Sequence, residues 1–267
     1  IRYNIEAQDL QRFAYGSSDA KKMTLSFYVK SNKTGTYSVQ LIGYDGQNSC
    51  VASYTIDASN TWERKTITID PDTSNAFAND NTLGILIAWH LACGPDDIVS
   101  PNTSWGVATT GFRAATGQVN FMDATANEWY LTGVQLEVGS QSTPFEHEPV
   151  GVTLRKCQRY LQMLIKHTEN DDQQIGSYYS TTRAFICVPH KVSMRTTPTI
   201  SLVGSISATI YSNSSGTTTT TLANTYARTD SSGLDFTPAS SGTAGNAFHF
   251  DWTQTSSAHY IKADAEL

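Results

Sequence analysis

Charge is scarce in this sequence. Only 16% of residues are Asp, Glu, Lys or Arg, and the 24 acidic side chains outnumber the 18 basic ones for a net charge of −6. No run of Lys and Arg is longer than Lys21-Lys22 or Arg155-Lys156. A surface that binds nucleic acid by neutralising phosphates needs the opposite balance, so that class of partner is not expected. Long apolar runs are missing too: nothing approaches the roughly 20 residues of a membrane-spanning helix, and no membrane insertion is expected. The four cysteines, Cys50, Cys93, Cys157 and Cys187, form no CxxC and no Cys/His pair at metal-ligand spacing, and they read as free thiols. Catalytic signatures are also absent: there is no GxSxG, no Walker-type glycine loop, and no HxH or HExxH among the six histidines. The adjacent pairs Asp96-Asp97 and Asp171-Asp172 diverge in an extended chain, whereas glycoside hydrolysis needs two carboxyls facing each other across a substrate. No enzyme is expected.

What the sequence does contain is aromatic residues, at 10%, among many Gly, Ser, Thr and Asn. That balance suits strands joined by polar turns. Met23, Leu25, Phe27 and Val29 alternate with polar residues, and after the turn Ser31 to Gly35 a second alternating run through Tyr37, Val39 and Leu41 predicts a hairpin over 23–42. Further strands are predicted at 51–56 and at 62–69, where Trp62 is out of step with Ile67 and Ile69 and suggests a bulge near Arg64. Leu83 to His90 is apolar on both faces and belongs centrally. Residues 92–117 read as one long irregular stretch, the usual setting of a binding loop. Val119 and Phe121 open a short strand. Trp129 to Val138 is the closing strand of the first domain, with Tyr130, Thr132, Val134, Leu136 and Val138 on one side and Trp129, Leu131, Gln135 and Glu137 on the other.

About eight strands in roughly 140 residues, with a turn every 8 to 12, predict an all-β fold that begins with a jelly-roll β-sandwich over 1–148. A junction with a short helix follows at 149–174. Leu154, Cys157, Leu161, Leu164 and Ile165 share one helical face, predicting a helix of about 13 residues capped by Thr153. A smaller C-terminal β domain over 175–267 completes the chain. Its polar tracts Ser212 to Thr221 and Ser231 to Asn246 read as loops, hairpin tips or edge strands, and it looks too poor in core residues to stand without neighbours.

Trp129 to Glu137, Thr143-Pro144-Phe145-Glu146-His147 and Cys157-Gln158-Arg159-Tyr160 together resemble a signature of the form TGVQLEVG, TPFEHRP and CQRYY. It is common in tail-fibre and related virion appendage proteins of tailed bacteriophages. Asp19 to Phe27 and Trp62 to Thr68 are similar to the upstream half of that family. The likeness covers residues 5–165 and departs at Glu148, where Arg is frequent, and at Leu161, where Tyr is frequent. The resemblance implies a jelly roll similar to carbohydrate-binding modules, a distal β domain, a homotrimer on the virion tail, contacts with other tail or baseplate proteins, and adsorption to bacterial surface polysaccharide. It also implies assembly in the host cytoplasm, where thiols stay reduced.

Sugars are gripped by flat apolar rings with planar polar groups alongside. The glycan-contact candidates are therefore Trp105 and Phe112 beside the 92–117 stretch, and Tyr211, Tyr226 and His259 beside the polar tracts of the second domain. Core packing competes with contact for Trp89, Trp105 and Trp252. Glu6, Asp9 and Glu128 could gather oxygens around a structural Ca2+ where the first and last strands meet, although solvated carboxylates are the commoner outcome. Besides a receptor-binding tail fibre, a head or neck decoration or fibre shaft, a carbohydrate-binding module of a secreted polysaccharide-degrading enzyme, and a depolymerase with a carboxylate pair between subunits all fit the sequence.

Overall fold

The computed structural model describes residues 1–107, 112–166, 174–204, 208–212, 215–252 and 260–266. The fold is all-β, with one short α-helix among the described residues. It divides into two compact units, Ile1–His147 and Glu148–Glu266.

The first unit contains strands β1 (Arg2–Glu6), β2 (Met23–Ser31), β3 (Gly35–Gly43), β4 (Asn48–Ile56), β5 (Glu63–Ile69), β6 (Leu83–His90), β7 (Ile98–Val99), β8 (Asn102–Val107), β9 (Ala114–Ala115) and β10 (Trp129–Val138). A five-stranded sheet, β1-β6-β3-β4-β8, faces a three-stranded sheet, β10-β2-β5. Between them lies a core that includes Met23, Leu25, Phe27 and Val29 from β2, Tyr37, Val39 and Leu41 from β3, and Ile85, Ile87 and Trp89 from β6. The two-faced apolar strand β6 sits between β1 and β3, as its pattern required.

Two sequence expectations change in this sandwich. The turn at Ser31 to Gly35 does not close a hairpin: β2 pairs with β10 and β5, while β3 pairs with β4 and β6, so the turn carries the chain from one sheet to the other. Both strands have one core face, and a period-2 pattern cannot say which strand is the partner. The stretch 92–117 is not irregular throughout, because β8 forms the edge of the larger sheet and β7 pairs with β9 in parallel. The phase of Trp62 reflects a strand that starts at Glu63, and the β2–β5 register is unbroken. Phe121 lies in a 3-10 turn, Phe121–Asp123, and not in a strand.

β10 has the expected bounds but a different phase. The register with β2 shifts between Thr132 and Gln135, where Gly133 has φ 58°. This bulge reverses the pleat, so Trp129 and Leu131 before it and Leu136 after it all pack on the core, while Tyr130 before it and Gln135 and Glu137 after it lie on the outer face. A Cβ at residue 133 would lie 2.9 Å from Tyr28 Cδ2, which restricts the position to glycine.

The second unit opens with helix α1 (Val150–Gln158) and continues through β11 (Leu161–Lys166), β12 (Gln174–Ser180), β13 (Arg183–Pro189), β14 (Thr199–Val203), β15 (Ala208–Ser212), β16 (Ser215–Ala227), β17 (Ser231–Pro238), β18 (Ala247–Trp252) and β19 (Tyr260–Asp264). The predicted 13-residue helix is thus a nine-residue helix that ends before Leu161. Its second half is a strand in the small sheet β11-β19-β14, with Ile165 buried opposite Ile261. A short apolar run satisfies either period, and pairing with β19 decides it.

The remaining strands close a barrel, β12-β13-β17-β16-β15-β18. Tyr178, Ala184, Ile186, Leu234, Phe236, Phe248 and Phe250 are among the residues that fill it. The expectation that this domain lacks a core of its own is therefore corrected. Closure removes sheet edges and lets a few large side chains enclose the interior, so a polar strand such as β16 can be paired on both sides. The tract Ser231 to Asn246, expected as loop or edge, contributes β17, whose Leu234 and Phe236 are fully buried. Of the junction expected over 149–174, residues 167–173 lie outside the described residues, and Gln174 already opens β12.

Candidate functional site

The residues singled out from sequence fall in different settings. Trp105, on β8, is half-buried. Its indole Nε1 donates to Asp70 O at 3.0 Å and to the Tyr15 hydroxyl at 3.3 Å, and the ring meets Tyr15 edge-on. These bonds hold it as a wedge at the sandwich edge. Phe112 is exposed and leans on the His90 ring, with centroids 6.0 Å apart. Tyr226 is 56% exposed on the outside of the barrel. Tyr211 belongs to β15, whose backbone alone is described at that position, and His259 lies outside the described residues.

The proposed calcium ligands do not converge. Glu6 pairs opposite Leu83 at one end of the sandwich, and Glu128 precedes Trp129, which is opposite Ser31 at the other end. The strands between these ends hold them roughly 25 Å apart at 3.3 Å per residue. β1 and β10 belong to different sheets, so the first and last strands never pair. Glu6 is buried and accepts from Gln8 Nε2 at 2.6 Å, Asp9 is exposed, and Glu128 accepts from the Tyr130 hydroxyl at 3.0 Å. Among the described residues no group of three His, Cys, Asp or Glu could hold a metal.

A polar and aromatic cluster that sequence reasoning found only through Tyr226 lies on the outer face of the barrel. Along β13 the inward residues Ala184, Ile186 and Val188 are buried, which places Arg183, Phe185 and Cys187 outside. On β17 the same alternation turns Gly233 and Asp235 outward, and register sets Phe185 opposite Asp235 and Tyr226 opposite Gly233. Asp235 is nevertheless fully buried, because its neighbours fold over it. Arg183 Nε donates to Asp235 Oδ1 at 2.9 Å, Arg183 Nη2 donates to Oδ2, and the Tyr179 hydroxyl donates to Oδ2 at 2.7 Å.

Two exposed rings and one half-buried ring surround this pair. Tyr179 is 54% exposed, and Phe185 meets Tyr226 edge-on at 6.1 Å. A Cβ on Gly233 would lie 2.6 Å from Phe185 Cζ, so glycine lets the Phe185 ring lie on β17. The hydrogen bond to Asp235 raises the Tyr179 pKa, with burial and the carboxylate charge adding to it, and the same carboxylate raises that of Arg183. Tyr179 therefore stays protonated and Arg183 charged. Flat rings on a rigid sheet, with a phenol and a guanidinium between them, suit a pyranose ring and its hydroxyls. The alternation of buried Tyr178 with Tyr179 was the available sequence signal.

The residues that carry the family resemblance have a different task. After β10 the segment 139–146 crosses the outer face of the smaller sheet as a strap. Glu137 accepts from Thr143 N at 3.1 Å and from Thr143 Oγ1 at 2.5 Å, Gln135 Oε1 accepts from Glu146 N at 2.9 Å, and Arg64 Nη2 donates to Thr143 O. Thr24 Oγ1 donates to Gly139 O at 2.7 Å, which explains why Thr24 and Ser26 are buried on the polar side of β2. Burial pushes the Glu137 carboxyl up, but bonds from Thr143 and Gln135 and the charge of Arg64 outweigh it and leave its pKa below the ordinary range. Gln135, Glu137 and Thr143 thus lock a strap.

A cleft of about 430 Å³ between β4, β5 and β8 is lined by Ser53, Thr66, Thr68, Asn102 and Thr103 with a few apolar neighbours, and holds no titratable side chain. Asp97 is paired with Arg113 at 2.7 Å, and Asp171 and Asp172 lie outside the described residues. No protein family's profile matches this chain, and no curated protein matches it.

Proposed function

We propose that this chain is a non-enzymatic virion appendage protein of a tailed bacteriophage, a homotrimeric tail fibre that adsorbs to bacterial surface polysaccharide. The observation that carries the glycan reading is the Tyr179–Phe185–Tyr226 surface built on the buried Arg183–Asp235 pair. Its rings are held by a closed barrel, so little side-chain entropy is lost on contact. The setting on a virion rests on the likeness of residues 129–160 to appendage proteins. Three copies would convert weak single sites into avid attachment. Helix α1 supplies a surface for self-association: Val150 is 83% exposed and Leu154, one turn on, 53%. Exposed apolar side chains at this spacing suit a second copy better than water.

A carbohydrate-binding module of a secreted enzyme is the second reading, favoured by an exposed Trp62–Tyr130 pair on the sandwich. Mass in solution separates the two. Light scattering on the purified chain is expected to give about 88 kDa, three times 29.2 kDa. A 29.2 kDa particle would overturn the fibre reading. With Trp62 and Lys30 of the sandwich replaced by Ala and Gln, binding to an array of bacterial polysaccharides that is unaffected by adding Tyr179→Ala/Tyr226→Ala would overturn the site.

A further inference from the structure

The outer face of the smaller sheet carries a second aromatic cluster, around Lys30. Register aligns Tyr130 on β10 with Lys30 on β2, and Trp62, just before β5, comes next in the same row because Val29 pairs with Glu63. Trp62 is 46% and Tyr130 42% exposed, with ring centroids 6.4 Å apart and planes at 58°. Lys30 Nζ lies 5.6 Å from the Trp62 centroid and 4.7 Å from that of Tyr130. The strap 139–146 covers the rows below and leaves this one open.

The charges around Lys30 are arranged unevenly. Among the described residues Lys30 has no carboxylate within ion-pair distance. Glu63 and Asp57, the acids nearest along β5, are both taken by Lys65. Glu128 accepts from the Tyr130 hydroxyl at 3.0 Å and keeps its negative charge at the edge of the row, outside ion-pair distance of Lys30. Arg64, one outward row further, spends donors on neutral oxygens of Ser26 and Thr143, and its charge acts on Glu137 two rows beyond. A cation held between two aromatic faces has lost part of its hydration without gaining a counter-ion. In a chain of net charge −6, Lys30 is thus an ammonium without an ion-paired carboxylate, flanked by sugar-sized apolar faces.

We propose that the Tyr130–Lys30–Trp62 row binds a uronic-acid residue of an acidic polysaccharide, the rings taking the pyranose faces and Lys30 the carboxylate. The site does not depend on the barrel surface and would stand if that reading failed. The test is affinity electrophoresis of the full chain in gels containing polygalacturonate or the same polymer after carboxyl reduction. Wild type is expected to bind polygalacturonate at least about tenfold more tightly than the reduced polymer, with the preference fading as salt screens it. Lys30→Gln should abolish that preference, Lys30→Arg should keep it within about threefold, and Trp62→Ala should weaken binding to both polymers about tenfold. The Tyr179→Ala/Tyr226→Ala variant should behave as wild type in these gels. Equal retardation in the two gels, no retardation in polygalacturonate, or an unaltered preference in Lys30→Gln would overturn the proposal. Lys30 and Trp62 are surface residues, and matching thermal unfolding curves would show that each variant is folded.

Discussion

Replacing Asp235 by Asn keeps the side chain's shape and removes its charge from a place where no water reaches it. The carboxylate accepts two N–H bonds from Arg183 and one O–H bond from Tyr179. Hydrogen bonds to a charged group contribute about 1.5–3 kcal/mol each, and breaking a buried pair costs about 3–5 kcal/mol. Arg183 keeps 30% of its side chain in water and Tyr179 is 54% exposed, so both partners recover part of that loss by hydration. The net cost is about 2–3 kcal/mol, and a domain of this size loses roughly 4 °C per kcal/mol, so the barrel should melt about 8–12 °C earlier. Urea unfolding followed by circular dichroism measures the cost. Hydrogen exchange over Arg183–Pro189 and Ser231–Pro238 locates it. A double-mutant cycle with Arg183→Met should return a coupling of about 1.5 kcal/mol or more. A cost of under about 0.5 kcal/mol for Asp235→Asn, or strict additivity with Arg183→Met, would refute the claim that this pair organises the aromatic face.

The strap gives a pH dependence of definite sign. The Glu137 carboxyl is depressed in the folded chain, so its bonds to Thr143 stabilise above the ordinary carboxylate pKa of 4.5 and are lost as pH falls through the lower folded value. Proteolysis or exchange at 139–146 should rise in that acid window, and Glu137→Gln should flatten the rise. Gly133→Ala forces φ 58° on a residue with a Cβ and drives it against Tyr28, which should lower sandwich stability by about 1–2 kcal/mol in urea. Burial pushes the Cys50 thiol up to about 12, whereas Cys157 and Cys187 are exposed. A thiol reagent at mildly alkaline pH should modify the exposed pair quickly and Cys50 only in denaturant, and rapid labelling of Cys50 would contradict the sandwich packing.

Much of the fold could be read from residue periodicity because most strands have one core face. The bounds of β6 and β10 follow directly from Leu83 to His90 and Trp129 to Val138. What failed were choices that periodicity cannot make. Ser31 to Gly35 reads equally as a hairpin turn or as a crossing between sheets. Leu161 to Ile165 reads equally as helix or strand until β19 is known to lie beside it. β17 was hidden because Ser231, Ser232, Gly233 and Asp235 look like loop, although only two large side chains, Leu234 and Phe236, are needed inside a closed barrel. The site residues were less legible still. Trp62 gave a usable signal, since a Trp out of phase with Ile67 and Ile69 must point away from the core. Arg183 and Asp235 are 52 residues apart in sequence and meet only through the β13–β17 register.

The most direct test of the glycan reading is affinity electrophoresis of the full chain in purified surface polysaccharide from a panel of bacteria, with the sandwich row silenced by Lys30→Gln/Trp62→Ala, comparing that protein with the same protein carrying Tyr179→Ala/Tyr226→Ala as well. The protein with an intact barrel surface should be retarded by at least one polysaccharide, and the one without it, equally folded, should run as it does in an empty gel. Equal retardation of both proteins, or none for the first across the panel, would contradict a glycan-reading surface on the barrel.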